Sequence, residues 1–255
     1  MISVLDIVFF LFGTIVGSFL NVVIFRYNTG KGIGGRSECF SCVRTLAWYE
    51  LIPVFSFLFQ GGRCRRCLSS ISTQYPLVEL ASGLLFALLA HQSADPYAVA
   101  FSWLVFSILL VIAVYDYRHF IIPDGLVYAF IFLGAVSFVA RAAFLPDLAS
   151  ALGLALFFVL LWAVSGGRWM GFGDAKLVLG MGLFLPFPRN VNAVIFGFWF
   201  GAAIGVLMLL VQAVRRISRK NKKGTHETGV GTVIPFAPFL VLGTLVSYLY
   251  YVPLW

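Results

Sequence analysis

Charge is what this sequence lacks. Only 11% of its 255 residues are charged, 61% are hydrophobic and the mean hydropathy is +0.97. An ordinary soluble domain carries about 25% charged residues. The shortage excludes a soluble globular chain and implies a polytopic membrane protein. A basic stretch ahead of the first apolar run is also missing. "MISVLDIVFF" carries Asp6 and neither Lys nor Arg, so a cleaved signal peptide is not expected and the run stays as a helix. No internal repeat or low-complexity tract is visible. Phe, in contrast, is abundant at 27 residues, which suits lipid-facing surface.

The expected fold is all-α and polytopic, with about eight transmembrane helices. The apolar spans lie near 4–25, 77–91, 98–115, 121–140, 148–165, 175–187, 191–214 and 232–250. Several are shorter than the roughly 20 residues that cross a bilayer unaided. Orientation follows from Lys and Arg. With the N-terminus outside, the 26–76 loop lies inside with Arg26, Lys31, Arg36, Arg44, Arg63, Arg65 and Arg66. Arg118, Arg168 and Lys176 fall inside too, as do Arg215, Arg216, Arg219, Lys220, Lys222 and Lys223. Only Arg141 and Arg189 are left outside, so 16 of the 18 basic residues face one way. The net charge of +8 is this ordinary bias, with some attraction to anionic lipid heads, and calls for no nucleic acid.

Cysteine is scarce, and all four copies sit in the inside loop, in "CFSC" (Cys39, Cys42) and "CRRC" (Cys64, Cys67). Twenty-one residues separate the pairs. Two Cys-x-x-Cys knuckles at about this separation can wrap one tetrahedral Zn²⁺. Disulfides are the competing reading, opposed by a reducing cytoplasm. A redox-active Cys-x-x-Cys would have to explain two copies. Arg63, Arg65 and Arg66 would help hold thiolates deprotonated, or are simply inside-facing charge. A loop this small needs a metal staple. The nearby "GKGIGG" fits G-x-G-x-x-G through Gly30, Gly32 and Gly35, but it follows a membrane helix and not a strand. It reads as a flexible linker.

Acidic residues number ten, few enough to sort. Asp6, Asp95 and Asp147 lie on the outer side; Glu38, Glu50 and Glu227 belong to inside loops. Glu79, Asp116, Asp124 and Asp174 remain, in or beside apolar spans. Asp116 closes the third span and Asp174 opens the sixth in "GFGDAKL", both at the cytoplasmic edge. An ionisable group near the hydrocarbon costs roughly 2.5–3.5 kcal/mol on insertion scales. Two at one level imply a shared role, because carboxyls that approach each other divide acid and base duties and titrate as a pair. Gly171 and Gly173 would admit unusual backbone conformations and the close approach of another chain. Spacing alone leaves a second reading of Asp174 open, as the N-cap of the sixth helix. Asp124, in "IIPDGL", reads as turn chemistry. His119 reads as a surface histidine, and Lys176 as a salt-bridge partner or a snorkelling side chain.

Several stretches together resemble the prepilin peptidases, or type IV leader peptidases, bacterial inner-membrane aspartic proteases of the GxGD class. "GTIVGSFLNVVIFRYN" resembles the family's first helix, and "CFSC" with "LAWYELIPVFSFLFQGGRCRRC" its cytoplasmic zinc-binding domain. "ISTQYPLVEL" resembles the entry to the second helix. "YDYRHFIIPD" and "GFGDAKL" resemble the two catalytic regions, and "VIPFAPFL" also matches. Two departures stand out: "CFSC" lacks the proline often found in the first knuckle, and Ala237 stands where glycine is common. The resemblance implies a catalytic dyad of Asp116 and Asp174. It implies a first transmembrane helix (1–25), a zinc-binding domain (26–76) and a membrane peptidase domain (77–255). The substrates would be type IV prepilins or pseudopilins, cut after glycine to release a basic leader on the cytoplasmic face. S-adenosylmethionine would then methylate the new N-terminus, with Gly62 and Arg63 at positions that matter for that step. Glu50 and Glu79 fall in matching stretches without an assigned role. A cation-coupled transporter would spread its carboxylates near the midplane and usually show repeats. A non-catalytic secretion scaffold would leave "GFGD" unexplained.

Overall fold

The computed structural model describes residues 3–30, 32, 34–142, 145–220 and 234–250, with 215–220 as backbone only. Lys31, Lys222, Lys223, Glu227 and Val233 lie outside the described residues, as do the side chains of Arg215, Arg216, Arg219 and Lys220. The chain divides into two compact units, residues 1–114 and 115–255.

In the first unit, α1 (Val4–Arg26) is started by reciprocal caps: Asp6 N–H donates to Ser3 Oγ at 3.2 Å, and Ser3 N–H to Asp6 Oδ2 at 2.7 Å. A 3₁₀ turn (Trp48–Leu51) and the short α2 (Phe55–Phe59) belong to the cysteine module. The chain then re-enters apolar sequence in α3 (Gln74–Leu89), which packs on α1. A buried amide fixes their register: Asn21 Nδ2 donates to Tyr75 O at 3.2 Å, and Gln74 Nε2 donates to Asn21 Oδ1 at 3.3 Å. α4 (Pro96–His119) joins this pair through Trp103, whose indole N–H reaches Phe86 O at 3.0 Å while its ring stacks on Phe86.

The second unit holds the end of α4 with α5 (Asp124–Ala140), α6 (Leu145–Ser165), α7 (Phe172–Phe184), α8 (Arg189–Lys220) and α9 (Ala237–Leu249). Its centre is α7, packed by α5 and α6 and touched by α8 and α9. Ala175, Leu177, Val178, Met181 and Phe184 of α7 are all buried, as expected of a helix apolar on every side. At Gly180 the Phe130 ring comes so close that an added Cβ would lie 2.6 Å from it. Small residues at such points let membrane helices approach.

Contacts at the two ends fix the helix directions. At one end, the close of α4, the start of α5, the α6–α7 connection and the start of α9 line one cleft. At the other, Arg141 after α5 donates to Leu183 O at 2.8 Å, and Phe187 N–H donates to Asp147 of α6 at 2.7 Å. Ser247 near the end of α9 donates to Arg189 O at 2.6 Å. Successive helices therefore alternate in direction, as a polytopic chain requires.

Each of the eight expected apolar spans is a helix, with shifted ends. The sixth begins at Phe172 and not at 175, so Asp174 lies inside its first turn. Among the described residues, four helices are long and apolar enough to cross a membrane: α1, α4, α6 and Arg189–Val214 of α8. α3, α5 and α9 are shorter apolar helices. Among the described residues the fold is all-helical, the only β pairing being two isolated bridges.

Candidate active site and cysteine centre

Asp116 and Asp174 line the same cleft, of about 490 Å³, in the second unit. Both carboxyls are buried, at 5% and 6% exposure. Asp116 lies in the last turn of α4, and its Oδ2 accepts the N–H of Ala237, the first residue of α9, at 3.2 Å. The first N–H groups of a helix have no partner within it; one of α9's is used to hold this carboxylate. Asp174 is the third residue of α7, and its Oδ2 accepts the N–H of Gly171, the N-cap, at 3.2 Å. Each carboxyl thus has one oxygen held by backbone, while Oδ1 makes no hydrogen bond among the described residues. The rest of the wall is mostly apolar: Phe120, Ile121, Ile122, Trp169, Ile234 and Phe236.

Three sequence expectations need correction here. Asp174 is not the N-cap of its helix; it reaches back to that cap from one turn inside. Gly171 is extended, with φ −76° and ψ 149°, and neither motif glycine has positive φ. Close approach is the reason that stands, at Gly173, where an added Cβ would lie 2.9 Å from Ile122 Cβ. The left-handed residues are Gly166 and Gly167, in the loop before the motif. Asp124 is not in a turn: it is the first residue of α5, follows the Pro123 N-cap, and pairs with Lys176 at the cleft. His119 is exposed as expected, against the Tyr115 ring. The tie from Ala237 was not anticipated. Its signal was Pro235 and Pro238 bracketing a helix start.

In the first unit the four cysteines converge. Cys39, Cys42, Cys64 and Cys67 present sulfurs all within 4.8 Å of one another, and none is in a disulfide. The two knuckles repeat one geometry. Cys39 N–H bonds Arg44 O at 3.0 Å and Cys64 N–H bonds Ser69 O at 2.9 Å. Bridges join Glu38 to Thr45 and Arg63 to Ser70. The residue after each second cysteine, Val43 or Leu68, has positive φ. Cys39 and Cys67 sulfurs lie 3.8 Å apart, the separation set by tetrahedral thiolates bound at about 2.3 Å. The cluster therefore fits a metal ion. The N–H groups of Cys42 and Ser41 bring the Cys39 thiol below its ordinary range.

Gly62 and Arg63 precede the second knuckle. Gly62 has φ +66°, and the Phe57 ring would lie 3.1 Å from a Cβ there; Arg63 is exposed. Glu50 caps the 3₁₀ turn through the Ala47 N–H, which holds it below the usual carboxylate range, and Arg44 at 2.6 Å adds to this. Glu79 is buried in α3 and accepts the N–H of Val54 at 2.7 Å. Within the described part of the "GKGIGG" stretch, Arg26 donates to the carbonyls of Gly32 and Gly34, and beyond it to that of Arg36.

Residues 103–206 match the type IV leader peptidase family, and residues 11–93 match the bacterial peptidase A24 N-terminal domain. Three similar proteins carry the name prepilin leader peptidase/N-methyltransferase. The one from Bacillus subtilis is 31% identical, over 95% of this chain and 93% of its own length. That from Klebsiella pneumoniae is 35% identical, over 69% and 83% respectively. That from Myxococcus xanthus is 36% identical over 79% of this chain, and the match spans 62% of the relative's length. No solved structure matches at the same level of significance.

Proposed function

Because this chain belongs to the type IV leader peptidase family, we propose that it is a membrane aspartic endopeptidase whose dyad is Asp116 and Asp174. The observation that carries this is the shared cleft, where two buried carboxyls each keep one oxygen clear of backbone. The ionised carboxylate takes a proton from water as its oxygen attacks the scissile carbonyl carbon. The protonated partner gives its proton to the carbonyl oxygen. Collapse of the tetrahedral diol breaks the C–N bond: one diol hydroxyl gives its proton to the ionised carboxylate, and the leaving amine takes the proton of the other carboxyl, which restores the dyad. Either aspartate can fill either role because the two titrate together. Gly173 lets Ile122 pack against the first turn of α7, which sets the depth of Asp174 in the cleft.

The substrate is a type IV prepilin or pseudopilin, cut after glycine to release its basic leader. Its apolar segment lies in the bilayer and its basic leader stays at the cytoplasmic surface, held by anionic lipid heads. All eight apolar helices cross the bacterial inner membrane, the N-terminus is outside, and the cleft opens on the cytoplasmic side. The alternating helix directions support this. Cys39, Cys42, Cys64 and Cys67 hold one structural Zn²⁺ in a cytoplasmic domain over 26–76. S-adenosylmethionine is a second substrate. The freed N-terminal amine, once deprotonated, attacks its methyl carbon and S-adenosylhomocysteine leaves; Gly62 and Arg63 serve this step. The test is to incubate purified protein with a prepilin and weigh the product. Leader loss is expected with or without S-adenosylmethionine, and the added mass of one methyl group only with it. An intact prepilin would contradict the reading.

A further inference from the structure

The cysteine module carries an apolar surface that neither the dyad nor the metal cluster uses. Trp48 is 78% exposed, Leu58 65% and Phe59 81%, with Ile52 and Phe55 exposed beside them. Phe55, Leu58 and Phe59 stand at i, i+3 and i+4 and so share one face of α2. Patches of this kind mark an interaction surface.

Two ties say where the patch sits. Val54, the residue just before α2, donates its N–H to Glu79 at 2.7 Å. Glu79 is five residues into α3, about 7.5 Å along the axis at 1.5 Å per residue. Phe25 in the last turn of α1 meets Phe40 of the first knuckle, ring centroids 5.5 Å apart. The module therefore does not stand off from the helix ends: α2 starts within reach of the Glu79 side chain, beside the early turns of α3. Interfacial helices lie close to such helix ends, about 5–10 Å into the headgroup and acyl boundary.

Charge selects the partner. Arg65 lies over the Tyr49 ring at 5.2 Å, and Arg63 and Arg66 are exposed nearby in sequence. Of the module's two acids, Glu38 and Glu50, the latter is neutralised by Arg44. An apolar face with Trp and Tyr, with Arg65 against Tyr49, matches an anionic membrane surface. We infer that the face made by Trp48, Ile52, Phe55, Leu58 and Phe59 is seated in the interface of the bilayer that α1 enters, with Arg65 and Arg66 on anionic lipid headgroups.

The test uses the full chain in lipid nanodiscs without substrate, so its outcome is independent of the peptidase reading. The Trp48 emission is the difference between the protein and its Trp48→Phe variant. Lipids brominated high on the acyl chain are expected to remove most of that emission, and aqueous iodide to leave it. The bromolipid effect should be stronger in phosphatidylglycerol than in phosphatidylcholine, and the double variant Arg65→Glu/Arg66→Glu should lose that preference. Quenching by iodide with no response to bromolipid would overturn the inference. So would protection from iodide that appears only with an added pilin peptide, or only in discs holding two copies of the chain.

Discussion

At the scale of single residues, two buried carboxyls share the cleft with a third that is exposed and paired. Asp124 is exposed and bound to Lys176, and an ion pair of this kind is worth about 0–1 kcal/mol. Asp124→Asn should therefore retain cleavage within roughly an order of magnitude of the parent, measured as the rate of leader release. Loss as deep as that of a dyad variant would put Asp124 in the chemistry. Gly62 is the other residue with a defined demand. At φ +66°, any side chain incurs the left-handed cost of roughly 1–2 kcal/mol. Gly62→Ala should loosen the module in limited proteolysis and cannot by itself report on methylation. Arg63→Ala keeps the backbone and is the cleaner probe; it should give cleaved but unmethylated pilin. Equal loss of both reactions in a folded protein would argue against two separable sites. Asp174 was legible as a carboxylate placed at an apolar helix. Its position inside the first turn was not, because Gly173 disguised the helix start. Its tie to Gly171 could be read from three-residue spacing, whereas the tie of Asp116 to Ala237, 121 residues away, exists only in the folded chain.

At the scale of elements, the cysteine module depends on convergence that its own small core does not supply. Two knuckles with the same hydrogen bonds, bridges and positive-φ residue place four thiols together. Metal analysis should find about one zinc per chain. Chelation should make residues 26–76 sensitive to protease while the apolar helices stay protected. A metal-free protein with a normally protected module would contradict this. The knuckles were legible because cysteine spacing is a local signal. The Val54–Glu79 bond was not, since neither residue advertises it: valine at positive φ is unfavourable in isolation and persists here under a tertiary contact. The helices were legible as apolar runs. Their ends moved by several residues, because caps and partners, and not hydropathy, decide where a helix stops.

At the scale of the whole molecule, composition settled the class: a chain so poor in charge and rich in apolar helices is an integral membrane protein. One unit carries the cysteines and the other both aspartates, so the two proposed chemistries can be tested separately. The number of helices that cross the bilayer was less legible, since α7 spans only about 20 Å at 1.5 Å per residue and is enclosed by its neighbours. What joins the levels is the proposed dyad, set where four helix ends gather at one cleft. The most direct measurement is leader release from a purified prepilin, followed by mass, for the parent, Asp116→Asn, Asp174→Asn and the double variant. Asparagine keeps the shape but cannot serve as acid or base. The parent should cleave with a bell-shaped pH dependence, one carboxyl protonated and one ionised. Each single variant should fold and fail to cleave, and the double should be no worse than either, because the two act as a unit. Full cleavage by Asp174→Asn would contradict the account and leave that carboxylate as a helix-capping group alone.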